Sequence, residues 1–265
     1  MSNRSEVSGI ADASRPNAGR MYDYFLGGNH NFEVDRHAAE QVTEIAPEVP
    51  RFLRVIRWFL GESIRRLCDE GYTKFIDFAS GLPTMDHIHQ VAPEGTKVLY
   101  SDIDAVTVTY AREIIGDNPN VRYMECDAGS PEDILHSETA KELFGDDRDL
   151  AIGFNGIAWF LPEERVSHAL QTLYDWSGEN AKLYICEGDL NNVNEEMEKI
   201  IKIYEDIGEP FYFRQKEKFY EVIGSWNVAD PGLLPLQEWL GVEEMMEERI
   251  QGSLGAIGAI LEKEQ

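Results

Sequence analysis

A chain of 265 residues, 43% of them hydrophobic, can bury the core of one α/β domain carrying an extension. Its 49 acidic residues against 24 basic ones leave a formal charge of -25, which repels phosphate backbones and anionic bilayers and so argues against nucleic acid or a membrane as main partner. Cys68, Cys126 and Cys186 stand far apart without metal-ligand spacing, and Met1 to Asn17 holds no apolar leader, so a reducing cytoplasm is expected.

Residues 1–16 are polar and are expected to lack regular structure, residues 17–70 to form a helical cap, and residues 71–265 the main domain. Within the cap, Asn17 to Leu26 reads as a short helix stopped by Gly27-Gly28, and Val34 to Ile45 as a second. Val49 to Asp69 is a long amphipathic helix with Phe52, Leu53, Ile56, Phe59, Leu60, Ile64 and Leu67 inward. Arg51, Arg54, Arg57, Arg65 and Arg66 are assigned to its solvated face.

From Lys74 onward short apolar runs alternate with helical stretches, the pattern of a parallel sheet built from βαβ units. Strands are expected at Lys74 to Phe78, Lys97 to Ser101, Val121 to Glu125, Leu150 to Phe154 and Ala181 to Glu187. Helices fall near Thr84 to Val91, Ala105 to Ile115, Pro131 to Phe144 and Glu163 to Trp176. Further on come helices at Asn194 to Ile207 and Lys216 to Ile223, then an apolar run from Ser253 to Leu261.

The first strand runs into Asp77-Phe78-Ala79-Ser80-Gly81-Leu82-Pro83, a small-residue turn where an open α/β sheet binds its ligand. A dinucleotide site wants G-x-G-x-x-G so that pyrophosphate can rest on bare backbone, and here Ala79 and Pro83 break the pattern. Asp77 would also repel a diphosphate, which disfavours a nicotinamide cofactor, whereas the sulfonium and ammonium of S-adenosylmethionine favour acids around them. Asp102 ends the second strand, where a carboxylate can accept both ribose hydroxyls, and Ile103 can cover an adenine face. Asp127, after the third strand, can accept from the adenine amino group while the Ala128 N–H meets a ring nitrogen. Singly, each acid reads equally well as a helix cap or Asx-turn, as Asp104 does; together, at successive strand ends, they point to an adenosyl cofactor. Ala79 and Gly81 give the turn its closeness to that ligand, at a conformational cost if Ala79 has positive φ.

These motifs, with Arg20-Met21-Tyr22-Asp23-Tyr24-Phe25-Leu26-Gly27-Gly28-Asn29, Asn31-Phe32, Asp35-Arg36 and Pro231-Gly232-Leu233-Leu234-Pro235-Leu236, resemble a family of S-adenosylmethionine-dependent methyltransferases common in actinomycetes and formerly a domain of unknown function. The resemblance implies a Rossmann-like class I methyltransferase fold, a seven-stranded and mostly parallel sheet whose last strand, Ser253 to Leu261, runs antiparallel. This chain departs from the family at Ala79 and at Glu187-Gly188-Asp189, where a serine-histidine pair is usual.

Methyl transfer asks for positioning of a nucleophile and, for a hydroxyl, removal of its proton. His30 and Tyr24, near the Gly27-Gly28 loop, and Glu187 after the fifth strand are the catalytic candidates. Tyr22 and Asn155 join the cofactor set, though Tyr22 and Tyr24 also read as helix packing, Asn155 as a loop cap and Glu187 as a charged strand end. His87 and His89 read as packed or solvated residues, and Trp226, Trp239, Phe211, Tyr212 and Phe213 as core with some share in an apolar pocket. The expected activity is methylation of a small, secondary-metabolite-like acceptor by a monomer or homodimer. The alternative is a catalytically silent sensor or scaffold that retains the cofactor site.

Overall fold

The computed structural model describes residues 14–189, 193–242 and 255–264. Residues 1–13 of the polar lead, and Ser253 at the start of the expected last strand, lie outside them. Three helices come first: α1 (Ala18–Phe25), α2 (Glu33–Ile45) and α3 (Val49–Asp69). Five parallel strands follow, β1 (Lys74–Asp77), β2 (Lys97–Asp102), β3 (Val121–Glu125), β4 (Ala151–Asn155) and β5 (Lys182–Gly188). Between them run α4 (Ile88–Val91), α5 (Ala105–Ile115), α6 (Glu132–Leu135), α7 (Glu138–Phe144) and α8 (Glu163–Trp176). After β5 come α9 (Glu195–Asp206), α10 (Lys216–Val222), the dipeptide strands β6 (Asn227–Val228) and β7 (Leu234–Pro235), α11 (Leu236–Leu240) and β8 (Ala256–Glu262).

The sheet order is β3-β2-β1-β4-β5-β8-β6, with β7 also paired to β8, and β8 runs antiparallel to β5. The mostly parallel sheet with a late antiparallel strand is therefore present. Its outermost position is divided into two dipeptides, β6 and β7, so the described residues form eight strands rather than seven. The order reverses direction between β1 and β4, and a crevice opens at that point beyond the carboxyl ends of the strands.

Alternation along each strand divides the interior in two. Phe75, Val98, Tyr100, Ala151, Tyr184 and Ile260 face one core, shared with α2, α3, α5 and α11, while Ile76, Leu99, Ile152, Phe154, Leu183 and Leu261 face the other, shared with α6, α7, α8 and α10. The inward row of α3 is buried as expected, except Leu53, which is half-buried.

Two helices differ from the sequence expectation. The segment expected to be helical from Thr84 is irregular until Ile88, because Asp86 adopts φ 52° and Thr84 donates its hydroxyl to Asp23 at 3.2 Å; Pro83 consequently opens no helix. Pro131 to Phe144 breaks into α6 and α7 where Ser137 takes extended φ/ψ and caps α7 by accepting from Ala140 N at 3.0 Å. Asp104 caps α5 as expected, accepting from Val106 N and Thr107 N.

Candidate functional site

The carboxyl ends of β1 to β5 open into a cavity of about 420 Å³, roofed by α1 and α3 and closed on one side by the segment after α9. Asp77, Ala79, Ser80, Gly81, Asp102, Ile103, Asp127, Ala128 and Asn155 all line it, as does Tyr22 from α1. The structure thus brings together every residue of the expected cofactor set.

Asp77 ends β1 in register with Tyr100 and Gly153. It accepts from the Tyr184 hydroxyl at 2.7 Å, and burial raises its pKa against the opposing effect of Ser80, Tyr184 and Arg57. A Cβ on Gly153 would lie 1.9 Å from Asp77 Oδ1 and 2.2 Å from the Tyr184 hydroxyl, so only glycine lets the two groups meet there. Gly153→Ala is expected to destabilise the fold by about 1–3 kcal/mol, the cost of overpacking, and to weaken cofactor binding alongside. Urea unfolding and calorimetry measure the two effects, and an unchanged midpoint would show that the sheet absorbs the methyl group freely.

Ala79 takes φ 51°, the strained left-handed conformation that its place in the turn implied. Gly81 donates its N–H to Asp102 at 3.1 Å, and Asp104 N donates to the other oxygen at 2.9 Å. Each oxygen thereby uses one lone pair on the protein and keeps one for a ligand. Burial pushes the Asp102 carboxyl up to about 6. Asp127 accepts from Gly129 N at 2.9 Å and pairs with Arg165 at 2.6 Å. Ile103 is exposed, and Asn155 Oδ1 is buried with no hydrogen-bond partner, an acceptor left over for a bound molecule.

The three catalytic candidates lie elsewhere. Tyr24 is turned outward, its hydroxyl 3.1 Å from Glu40. His30 sits outside the lining with its ring edge-on to Tyr110 at 6.1 Å, and its backbone N–H donates to Asp23. Glu187 is buried in an ion pair with Arg214 at 2.8 Å; burial pushes its carboxyl up to about 7 even beside that cation. His30 was placed by its loop, Tyr24 by the helix before it and Glu187 by its strand end, and none of these positions fixes the direction of a side chain.

The Arg20 signature acts as a joint. Buried Arg20 bridges Asp35 at 2.8 Å and Asp104 at 3.0 Å, tying α1 and α2 to the β2–α5 turn. Gly28 leaves room for Asp23, whose Oδ1 would lie 2.1 Å from a Cβ there.

Three cavity residues carried weak or no sequence signal. Arg57 is half-buried in the lining rather than solvated, and Arg66 lies 3.9 Å over the Trp239 ring, so the basic face of α3 is only partly in water. The position of Arg57, four residues after Leu53 and three before Leu60, was the available clue. Arg165 enters from α8. Glu209 accepts from Ala18 N at 2.9 Å and Asn17 Nδ2 at 3.1 Å, and burial, helped by the charge of Asp102, raises it to about 7.

Beyond the acids the lining is apolar: Phe52, Leu53, Ile56 and Leu60 from α3, Trp159 and Phe160, and Phe211 and Phe213 stacked at 5.1 Å. Trp226 and Trp239 belong to the core, and Tyr212 is exposed. His87 is buried against Arg57, and His89 contacts the Tyr100 hydroxyl. Among the described residues no cluster of side chains is suited to a metal, the three cysteines are free, and no helix is long and apolar enough to cross a membrane.

The fold has counterparts among known proteins. A DUF574 family protein from Streptomyces avermitilis superposes with a TM-score of 0.85 at 22% identity, covering 96% of this chain and 99% of that one. A methyltransferase candidate from Thermobifida fusca gives 0.85 at 24% identity, covering 99% and 100%. Magnesium protoporphyrin IX methyltransferase from Synechocystis, solved with bound S-adenosylhomocysteine, gives 0.54 at 12% identity, covering 92% and 93%. None of the curated proteins matches. The model of one family, described as S-adenosyl methyltransferase, matches residues 4–264. With nearly the whole chain matched, the protein belongs to the S-adenosyl methyltransferase family and is an S-adenosylmethionine-dependent methyltransferase.

Proposed function

We propose that the chain methylates a small, largely apolar acceptor, and that the strand-end residues hold the cofactor. The observation that carries this is the continuity of one cavity from the acids at β1 to β3 to the aromatic wall of Trp159, Phe160, Phe211 and Phe213. Asp102 accepts the ribose hydroxyls, Ile103 covers the adenine, Asp127 and Ala128 meet its edge, and Asp77 faces the amino-acid end. Buried Asn155 Oδ1 supplies an acceptor beside them.

S-adenosylmethionine supplies a sulfonium-bound methyl group for in-line displacement. The chain's contribution is to orient an acceptor against the apolar wall and to keep water out under α1 and α3. Among the described cavity residues no histidine is present, and the carboxyl of Glu209 is already engaged with Asn17 and Ala18. Catalysis here is therefore led by positioning, and suits a thiol, amine or phenol that ionises or reacts without a strong base.

Methyl-labelled cofactor incubated with the protein and a fractionated metabolite extract tests the proposal. Label is expected in small apolar products. Label confined to macromolecules would overturn the choice of acceptor while leaving the cofactor assignment intact.

A further inference from the structure

The cavity holds two guanidinium groups with different circumstances. Arg165 is paired with Asp127. Arg57 has no carboxylate partner among the described residues: its Nη1 lies 3.2 Å from His87 Nε2, its Cζ lies 5.2 Å over the Tyr22 ring, and its Nε is buried without any hydrogen-bond partner. Because arginine only donates, His87 Nε2 must be the acceptor, and His87 is neutral, held well below its usual pKa by burial and by the charge of Arg57. A neutral imidazole does not balance a guanidinium, and a partly buried cation lacking an anion is costly. Asp77 is near enough for Arg57 to lower its pKa, yet the two are not bonded, so an acid and a fork of donors stand side by side, both facing the cavity.

We infer that Arg57 is the anchor for the α-carboxylate of the cofactor's methionine moiety, working with Asp77, which takes the α-ammonium. The inference rests on assigning the polar end of the cavity to S-adenosylmethionine. A zwitterionic amino acid matches an adjacent acid and guanidinium, and the fork can give a carboxylate two parallel N–H donors, one of them the unused Nε–H. Arg57 is thus a binding residue delivered by α3, outside the glycine turn and the acid row.

Calorimetry with S-adenosylmethionine and its decarboxylated analogue, on wild type, Arg57→Met and Arg57→Lys, tests this. In wild type, loss of the carboxylate is expected to weaken binding by about 10- to 100-fold, the scale of a charge-assisted pair. That loss would oppose the protein's net negative charge, which favours the more cationic analogue. Arg57→Met is expected to weaken S-adenosylmethionine by a similar factor and the analogue by no more than about twofold. Arg57→Lys falls between, keeping the charge but losing the fork, and carries the test if the methionine variant does not fold. Equal affinity of wild type for both ligands, or equal weakening of both by each variant, would overturn the role of Arg57. Absence of binding of either ligand to wild type would overturn the cofactor assignment of the cavity as well.

Discussion

Asp102→Asn is expected to lower affinity for S-adenosylhomocysteine by at least about 100-fold, since two hydrogen bonds to a charged acceptor are lost or weakened. The fold feels two opposing effects: the amide Nδ2 cannot accept the N–H that Gly81 or Asp104 donates, but the buried charge is removed. Burial raises the Asp102 carboxyl from 3.8 to about 6, so the folded chain binds more protons than the unfolded one between those values. Stability from this group is present below the unfolded pKa and lost as pH rises through the folded one; at neutral pH its ionisation is a cost to the ligand-free protein. The melting temperature of the asparagine variant should therefore fall further below that of wild type at pH 5 than at pH 8. If only the ionised carboxylate binds ribose, wild-type affinity should also fall about tenfold at pH 5, one unit below the pKa. Asparagine should flatten that dependence. A flat wild-type profile between pH 5 and 7, with unchanged affinity in the variant, would remove Asp102 from the ligand contacts.

The second large effect concerns the core. Arg214→Met strands Glu187, because the arginine supplies its one ion pair among the described residues and also donates to the carbonyls of Ala158 and Leu161, which flank Trp159 and Phe160. Breaking a buried pair from one side costs about 3–5 kcal/mol. The loss has a pH signature: burial already raises Glu187 to about 7, and removing the guanidinium raises it further. The penalty therefore grows as pH rises, and the variant should be less destabilised at pH 6 than at pH 8. Adding Glu187→Gln should recover part of the stability. Guanidinium denaturation at both pH values decides it; a variant equally stable at both, with no rescue, would mean that the carboxylate is not what is left exposed.

Short apolar runs between helical stretches made β1 to β5 readable to within a residue or so at each end, because parallel strands buried on both faces are apolar throughout. The outer sheet position was not readable, since β6 and β7 are two residues each and too short to show any period. The acid row Asp77, Asp102 and Asp127 was visible because parallel strands deliver successive carboxyl ends to one edge. Direction was the missing information: a strand-end acid looks alike whether it faces a cavity, as Asp102 does, or an arginine 27 residues away, as Glu187 does. Glu209 and Arg57 needed the tertiary fold to acquire their surroundings, and nothing local marked the first of them.

Glu209 meets Ala18 across 191 residues of chain, and the cavity is closed by that meeting. A ligand lodged between them behaves as a fastener joining the beginning of the described chain to its later half. Its binding energy is therefore returned as resistance to global unfolding, about 2.7 kcal/mol when it is present at a hundred times its dissociation constant. The supply of the cofactor would in this way set the lifetime of the protein as well as its rate of turnover.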